Sequence, residues 1–437
     1  MKHPILQMIE TRKNGHPVGI YSACTASEQV LAAVMAASKN YGIPALVEAT
    51  ANQCNQFGGY TGMTPADYVR FIHGISEKAG CDPSLLILGG DHLGPLTWTG
   101  DAEGVAMDKA CELVRQYVAA GFTKIHLDTS MRLADDDKTK RLPDKVIAAR
   151  AAKLALVCER EAEKNHNYPV YVIGSEVPIP GGAQEEEDGV AVTTPADFEA
   201  TFDAFRAAFH TAGLDDAFSR VTGVVVQPGV EFGDDVVLEY DRPAAKALTG
   251  TLSKPRYSGI VFEGHSTDYQ PPQKLREMVE DGIAILKVGP ALTFYFREAV
   301  FALADIEQEL NLPDSSNFKS VLENLMLAEP KDWAKYYRGK EAELKFKRQY
   351  SLSDRSRYYF PHPDIKAALA KLYRNIDSAR VPVSLLSQYL PSAYARLRNN
   401  GLKAPYSASD LACARITDCI DDYLYATGYK AHAEYTL

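Results

Sequence analysis

The sequence predicts a (β/α)8 TIM barrel that is followed by a helical C-terminal extension. Short apolar runs without polar alternation are typical of strands that are buried on both faces of a parallel sheet. Between these runs lie longer stretches with apolar residues at three- and four-residue spacing, which predict amphipathic helices. Eight such strand–helix units fit within residues 1–310, whereas a doubly wound open sheet usually has fewer strands.

The predicted strands are runs of four to six residues that are rich in Val, Ile and Leu. Runs of this length are too short for the helices of a barrel but typical of its strands. The predicted strands are Val18–Ala23, Ala45–Ala49, Leu85–Gly89, Lys124–Asp128, Val170–Gly174, Gly223–Gln227, Gly259–Glu263 and Ile283–Val288.

A predicted helix follows each of these strands. Several helices begin at a Pro and end near a Gly, as from Thr64-Pro65 to Gly80, which are favoured start and stop residues. The predicted helices are Ala26–Asn40, Pro65–Gly80, Asp101–Gly121, Pro143–Asn165, Pro195–Ala212, Arg242–Thr251, Pro272–Asp281 and Ala291–Leu310.

From residue 311 onward the chain keeps helical periodicity but has no strand-like runs. We therefore predict two parts, a barrel over residues 1–310 and a helical extension over residues 311–437 that packs on the barrel. The predicted helices of the extension are Val321–Leu327, Lys331–Phe346, Ile365–Ile376, Leu385–Arg398 and Leu411–Tyr425.

Composition excludes several classes of function. The 437 residues include 47 Lys and Arg against 57 Asp and Glu, so the net charge of −10 argues against nucleic acid or an anionic membrane as partner. The sequence contains no apolar stretch of about 18 residues, so no membrane span is predicted. The charged N-terminus and seven cysteines without CxxC spacing predict free thiols in the cytoplasm. The sequence has no GxGxxG motif, so a nucleotide cofactor is not predicted, and it has no phosphate-cradling loop of the kind that a kinase needs.

Acids and histidines dominate the C-terminal ends of the predicted strands, where barrel enzymes carry their chemistry. His92 and His265 follow the third and seventh strands, each beside a Gly. Either histidine alone would more often be structural, but two imidazoles near carboxylates favour a divalent cation, Zn²⁺ first and Mn²⁺ as an alternative. Glu176 and Gln227, after the fifth and sixth strands, are the predicted third and fourth ligands.

Other rim residues have predicted catalytic or binding roles. Asp91 directly precedes His92 and is the predicted general base, with Glu48 at the end of the second strand as the other candidate. Asp128 ends the fourth strand and is predicted to contact substrate. His126, two residues earlier on the same strand face, is predicted to fill the core.

A phosphate site is predicted near the last strand. Lys287 lies just before a helix that starts near Pro290, and a helix N-terminus can bind an anion. Ser266 would add a hydroxyl. Arg355 and Arg357 would add positive charge, with an ordinary surface pair as the alternative interpretation.

Eight segments together resemble the family of tagatose-bisphosphate aldolase accessory subunits, the Z-type subunits of galactitol and N-acetylgalactosamine catabolism. The resemblance covers essentially the whole chain. It implies either a stand-alone D-tagatose-6-phosphate 4-epimerase or a non-catalytic partner that stabilises a class II aldolase. The segments are NQCNQFGGYTGMTPADY (52–68), LILGGDHLGP (86–95), KIHLDTSM (124–131), YVIGSEVPIPGG (171–182), VVVQPGVEF (224–232), GHSTDYQ (264–270), AILKVGPALTF (284–294) and YSLSDRSRYY (350–359).

The chain is more distantly similar to the class II aldolases themselves. That resemblance implies a catalytic acid or base at Asp91 and metal ligands at His92 and His265. The Glu of the aldolase E-x-x-x-x-G-G segment resembles Glu176. Gln227 stands where those aldolases have a further histidine, and this departure argues against aldolase turnover because a neutral amide is a poorer ligand.

Together these inferences predict a metal-dependent 4-epimerase that converts D-tagatose 6-phosphate to D-fructose 6-phosphate. The cation would polarise the C2 carbonyl, Asp91 or Glu48 would take the C4 hydroxyl proton, and Glu176 would assist. The C3–C4 bond would then break and re-form with inversion at C4. The alternative is the stabilising aldolase subunit, whose partner is a catalytic aldolase chain. The predicted ligand is a small phosphorylated ketose. Association of this chain with copies of itself is a further possibility that the sequence leaves open.

Overall fold

The computed structural model describes residues 2–175, 190–399 and 406–431. Eight parallel strands form a closed ring in the order β1-β2-β3-β4-β5-β6-β9-β10, and β10 pairs with β1. This ring confirms the predicted (β/α)8 barrel, and every predicted strand overlaps a barrel strand. The strands are β1 Ile20–Cys24, β2 Ala45–Thr50, β3 Leu86–Leu93, β4 Lys124–Leu127, β5 Val170–Ile173, β6 Val221–Val226, β7 Glu231–Phe232, β8 Val237–Leu238, β9 Val261–Gly264 and β10 Ile283–Val288.

The register between strands brings the predicted rim residues side by side. Glu48 of β2 lies opposite Gly89 of β3, and Thr50 lies opposite Asp91. A Cβ atom built on Gly89 would lie 2.5 Å from Cγ of Glu48. Glycine at position 89 therefore leaves the space that the Glu48 side chain occupies inside the barrel.

The N-terminal end of the barrel is closed by a helix that the sequence analysis did not predict. This helix, α1 (Pro4–Lys13), buries Ile5, Met8 and Ile9. These side chains form one apolar cluster with inward-facing strand residues such as Leu46 and Ile285. The apolar lower end leaves the charged groups of the strands at the opposite, C-terminal end.

Helices surround the ring, and each predicted helix overlaps an observed one. The described helices are α1 Pro4–Lys13, α2 Glu28–Tyr41, α3 Pro65–Ala79, α4 Glu103–Ala120, α5 Asp144–Asn165, α6 Pro195–Thr211, α7 Asp215–Ser219, α8 Arg242–Thr249, α9 Pro272–Glu280, α10 Pro290–Glu309, α11 Phe318–Ala328, α12 Glu341–Tyr350, α13 Pro363–Ser378, α14 Val383–Tyr389, α15 Pro391–Asn399 and α16 Ala408–Ala426.

Two predicted helices of the extension are interrupted in the structure. Lys331–Phe346 is a short 3₁₀ turn followed by α12, because Gly339 adopts a φ of 133° between them. Leu385–Arg398 is divided into α14 and α15 at Pro391, where the ring removes a backbone donor and limits the preceding residue.

The last helix of the extension returns to the barrel. α16 packs against α2, α9 and α10. Tyr423 of α16 donates a hydrogen bond to the Thr267 carbonyl, and its ring lies 5.8 Å from that of Tyr21 in β1. The division into two parts at residue 310 stays a prediction. None of the helices among the described residues combines the length and apolar character that crossing a membrane requires.

Candidate functional site at the mouth of the barrel

A cleft opens at the C-terminal ends of the strands and encloses about 860 Å³, including its solvent-open mouth. Its inner wall includes Asp91, His92, His265 and Lys287 from three strand ends. Its outer wall includes Arg355 from the C-terminal extension. The strands and the extension therefore both contribute to one site.

A chain of alternating lysines and carboxylates lies beneath the cleft. Lys124 Nζ lies 2.6 Å from Glu48 Oε1 and 2.6 Å from Glu263 Oε2, and all three side chains are fully buried. Lys287 Nζ contacts Glu48 Oε2 and lies 3.0 Å from Asp91 Oδ1. Because a buried charge is costly without a partner, this alternation is what allows five ionisable groups to share the interior.

Three imidazoles lie above this chain of charges. The rings of His92, His126 and His265 have centroids 4.9 to 5.4 Å apart. His92 Nδ1 lies 2.9 Å from Asp128 Oδ2, and His126 Nδ1 lies 3.0 Å from Asp91 Oδ1. His265 Nε2 lies 2.9 Å from Glu263 Oε1. Each ring is thus oriented by one carboxylate.

The network sets the protonation of its members. Burial alone would raise the pKa of Asp91, but the charge of His92 and the hydrogen bond with His126 hold it far below its usual range. Burial would lower the pKa of His92, yet Asp91 and Asp128 raise it to about 9. Burial lowers the pKa of Lys287 to about 8. Asp91 is therefore an ionised carboxylate and a weak base at neutral pH.

Four of these residues form a group that fits a divalent cation. One ligand atom each from Asp91, His126, Glu263 and His265 lies within 4.8 Å of the others, and all four residues are buried. His126 Nε2 is buried and has no hydrogen-bond partner among the described residues. Two imidazole nitrogens with two carboxylate oxygens are a donor set that Zn²⁺ prefers, so the residues present suit such an ion.

Only His265 is common to this group and the ligand set predicted from sequence. The Nδ1 atom of His92 lies within hydrogen-bonding distance of Asp128 Oδ2, and its Nε2 atom lies 3.7 Å from Asp91 Oδ2. Gln227 Oε1 accepts hydrogen bonds from the backbone N–H groups of residues 229 and 230, at 2.8 and 3.1 Å. The turn after β6 therefore uses the oxygen that was predicted to bind metal. Glu176 lies outside the described residues.

The sequence did contain a signal for the two missed residues. Residues two apart on a strand share one face of the sheet. His126 lies two residues after Lys124 in β4, and Glu263 lies two residues before His265. All four are buried at the inner face, so the prediction that His126 only fills the core overlooked its place in the cluster.

The N-terminus of α10 is occupied by a side chain of the protein. Asp268 Oδ1 accepts hydrogen bonds from the N–H groups of Gly289, at 3.0 Å, and Ala291, at 2.8 Å. Burial raises the pKa of Asp268 to about 6. Lys287, predicted to bind phosphate together with this helix, instead contacts Glu48 and Asp91. Ser266 lines the cleft beside them.

Two residues of the rim have an unusual backbone conformation. His92 has a φ of 48° and Ser266 a φ of 52°. This left-handed region is uncommon for residues other than glycine, and such strain is concentrated at functional sites. Both residues line the cleft.

Comparison with known proteins identifies the family. Residues 5–428 match the family described as D-tagatose-1,6-bisphosphate aldolase subunit GatZ/KbaZ-like. This chain belongs to that family. The GatZ subunit of D-tagatose-1,6-bisphosphate aldolase from Klebsiella pneumoniae is 45% identical over 430 residues, which cover 98% of this chain and 99% of the relative. The corresponding Salmonella dublin subunit is 44% identical over 421 residues, covering 96% and 98%.

A solved structure in the same fold is similarly related. A probable tagatose 6 phosphate kinase from Sinorhizobium meliloti superimposes with a TM-score of 0.85 at 45% identity, and the match covers 93% of this chain and 100% of that one. The resemblance to the Z-type accessory subunits is therefore confirmed. The prediction of a ketose-phosphate 4-epimerase is wrong, because these close GatZ/KbaZ relatives are named as aldolase subunits.

Proposed function

We propose that this chain is the accessory subunit of a class II D-tagatose-1,6-bisphosphate aldolase in galactitol or N-acetylgalactosamine catabolism, and that it stabilises the catalytic chain. The observation that carries the proposal is 45% identity to an aldolase subunit over 98% of this chain and 99% of that subunit. The match spans nearly the whole of both chains, so the likeness is not confined to one segment of this chain.

The electrostatics of the site support a role without turnover. Both candidate bases, Asp91 and Glu48, are ion-paired with Lys287. A general base works best when its pKa is near the working pH, whereas the pKa of Asp91 is held far below that range. The two lysines and three carboxylates under the cleft are paired with one another and would serve as a rigid core for the barrel.

A divalent cation, Zn²⁺ by the chemistry of the donors, is the second part of the proposal. Asp91, His126, Glu263 and His265 would hold it. These residues come from or directly follow β3, β4 and β9, so the cation would cross-link strands that are not all adjacent in the ring. The buried Nε2 of His126, which has no hydrogen-bond partner in residues 2–175, 190–399 and 406–431, supports this assignment.

The subunit role is tested by reconstitution with a class II aldolase catalytic chain from the same source. We expect this chain alone to leave D-tagatose 1,6-bisphosphate intact. When mixed with the catalytic chain, it should co-elute on size exclusion and lengthen the half-life of aldol cleavage at fixed temperature. An unrelated barrel protein at the same concentration is the control. Separate elution together with an unchanged half-life would reject the subunit role.

The cation is tested by metal analysis of the purified protein. We expect about one divalent ion per chain, removed by a chelator with a fall in melting temperature. The His126→Ala variant should lose the ion, whereas the exposed His73→Ala control should retain it. Full metal content in His126→Ala would refute this ligand set.

A further inference from the structure

A segment of the C-terminal extension crosses the mouth of the cleft. This strap, residues 351–359, is hydrogen-bonded near its start to the turn between β7 and β8 and to α10. The Leu352 N–H donates to the Asp234 carbonyl at 2.7 Å, and Asp354 Oδ2 accepts from Thr293 Oγ1 of α10 at 2.6 Å. Asp354 adopts a φ of 43°. The strap is therefore held in one conformation by named contacts to the barrel.

Arg355 of the strap differs from the other buried arginines, each of which forms an ion pair with a carboxylate. Arg150 pairs with Asp136, Arg297 with Asp354 and Arg348 with Glu323. Arg355 is only 6% exposed, yet no carboxylate among the described residues lies within ion-pairing distance of its guanidinium, which stacks on the Tyr336 ring at 3.2 Å. Its Nε is also without a hydrogen-bond partner in the described part of the chain.

A second arginine of the strap faces the same cleft. Arg357 donates to the carbonyls of residues 353 and 354 and to the Tyr358 hydroxyl. In the part of the chain that the structure describes, it too forms no ion pair with a carboxylate. Both guanidinium groups line the cleft together with Gln53 and Tyr60. A chain of net charge −10 thus has, at its cleft, two arginines without a carboxylate ion pair among the described residues.

The other cationic groups of the cleft are already engaged. Lys287 is neutralised by Glu48 and Asp91, and the N-terminus of α10 is capped by Asp268. A buried guanidinium without a counter-ion is costly in the absence of a ligand. Planar guanidinium groups bind phosphate oxygens through paired, charge-assisted hydrogen bonds.

We propose that Arg355 and Arg357 bind the phosphate monoester of a small phosphorylated sugar in the cleft. The inference adds a ligand to the proposed aldolase subunit and does not depend on the partner chain or on the cation. The ring of the sugar would extend inward from the strap toward His92 and His265. The C-terminal extension therefore completes a ligand site whose other wall belongs to the strands.

Calorimetric titration of the full-length, chelator-treated protein tests the ligand class directly. The probes are D-fructose 6-phosphate, D-fructose and inorganic phosphate. We expect D-fructose 6-phosphate to bind, D-fructose to bind at least about 10-fold more weakly, and inorganic phosphate to compete. Equal affinity for the sugar and its phosphate, or no binding of either, would overturn the proposal. Because neither metal nor aldolase is present, the result is independent of the function proposed above.

Variants assign the binding to the strap. Arg355→Met and Arg357→Met should each raise the dissociation constant for D-fructose 6-phosphate at least about 10-fold, whereas the exposed Arg338→Met control should not change it. Phosphate should also raise the melting temperature of the wild type but not of Arg355→Met. Should Arg355→Met fail to fold, the affinity of Arg357→Met and the probe series on the wild type still decide whether the strap binds phosphate. Unchanged affinity in a folded variant would place the anion elsewhere.

Discussion

The barrel interior and the strap handle buried positive charge in opposite ways. In the interior, Lys124 lies between two carboxylates at 2.6 Å each. In the strap, Arg355 is also buried, but among the described residues its guanidinium contacts a tyrosine ring instead of a carboxylate. The difference teaches that the lysines of the interior are balanced within the fold, whereas a ligand would balance the charge of the strap under the proposal above.

Removal of the central lysine is the most severe test of the self-contained interior. Lys124→Met would leave Glu48 and Glu263 buried without their shared cation. We expect the free energy of unfolding to fall by about 3–5 kcal/mol, or the protein to be insoluble, because one partner of a buried ion network is lost. Chemical denaturation measures the loss, with the exposed Lys138→Met as control. A free energy of unfolding that is nearly unchanged in Lys124→Met would contradict the comparison.

A matched pair of arginine variants sharpens the contrast. Arg348→Met removes a cation that lies 2.7 Å from Glu323 and should lower the free energy of unfolding by about 2–3 kcal/mol. Arg355→Met removes a cation that has no carboxylate partner in the described part of the chain, and in the absence of phosphate it should change the free energy of unfolding by less than about 1 kcal/mol. Denaturation curves of both variants decide. Equal destabilisation would mean that Arg355 is a structural residue.

The imidazoles give the interior a pH dependence. Because the pKa of His92 is raised from its ordinary 6.5 to about 9, the folded state keeps a proton that the unfolded state releases. The stabilisation is complete below pH 6.5 and is lost as the pH rises. Between pH 6.5 and 8, the free energy of unfolding of the chelator-treated protein should fall by about 2 kcal/mol.

The His92→Gln variant isolates this effect. It should flatten the fall in unfolding free energy between pH 6.5 and 8, whereas His73→Gln, at an exposed position, should leave it intact. Denaturation series at several pH values measure the slope. The same slope in His92→Gln and in wild type would assign the proton to another group.

The smallest expected effect concerns the attachment of the strap. Thr293→Val removes the hydrogen bond from Thr293 Oγ1 to Asp354 Oδ2 and should lower the free energy of unfolding by about 1 kcal/mol. Thr249→Val is the control, because its hydroxyl has only a 3.5 Å contact with a helix carbonyl. Calorimetric melting compares the two. If both variants melt alike, the Thr293 bond does not hold the strap.

Much of the fold was predictable because barrel strands have a local signature. A strand buried on both faces is apolar along its whole length, as Ile283–Val288 is. α1 was missed because its role depends on contact with the inner strand residues, which are distant in sequence. The breaks at Gly339 and Pro391 were missed because apolar spacing continues across residues that interrupt the backbone.

The candidate site was predictable only in part. The barrel rule correctly brought Asp91, His92 and His265 to one cleft. It did not indicate that His126 and Glu263 would join them, because the position of a side chain inside a closed ring depends on the stagger of neighbouring strands. Arg355 and Arg357 were expected near this end of the barrel and do line the cleft, but the lack of a carboxylate partner for Arg355 among the described residues depends on tertiary contacts.

The sequence by itself determined the barrel, the family and the supply of acids, histidines and basic residues at the strand ends, because these follow from local periodicity and short segments. Only the tertiary structure decided which charged side chains form ion pairs with each other. Glu48 of β2 contacts Lys287 of β10 across β1, where the ring closes, and Arg355 has no carboxylate within ion-pairing distance among the described residues. Pairing is a matter of distance in space, and that distance is set by ring closure and by the path of the extension across the mouth.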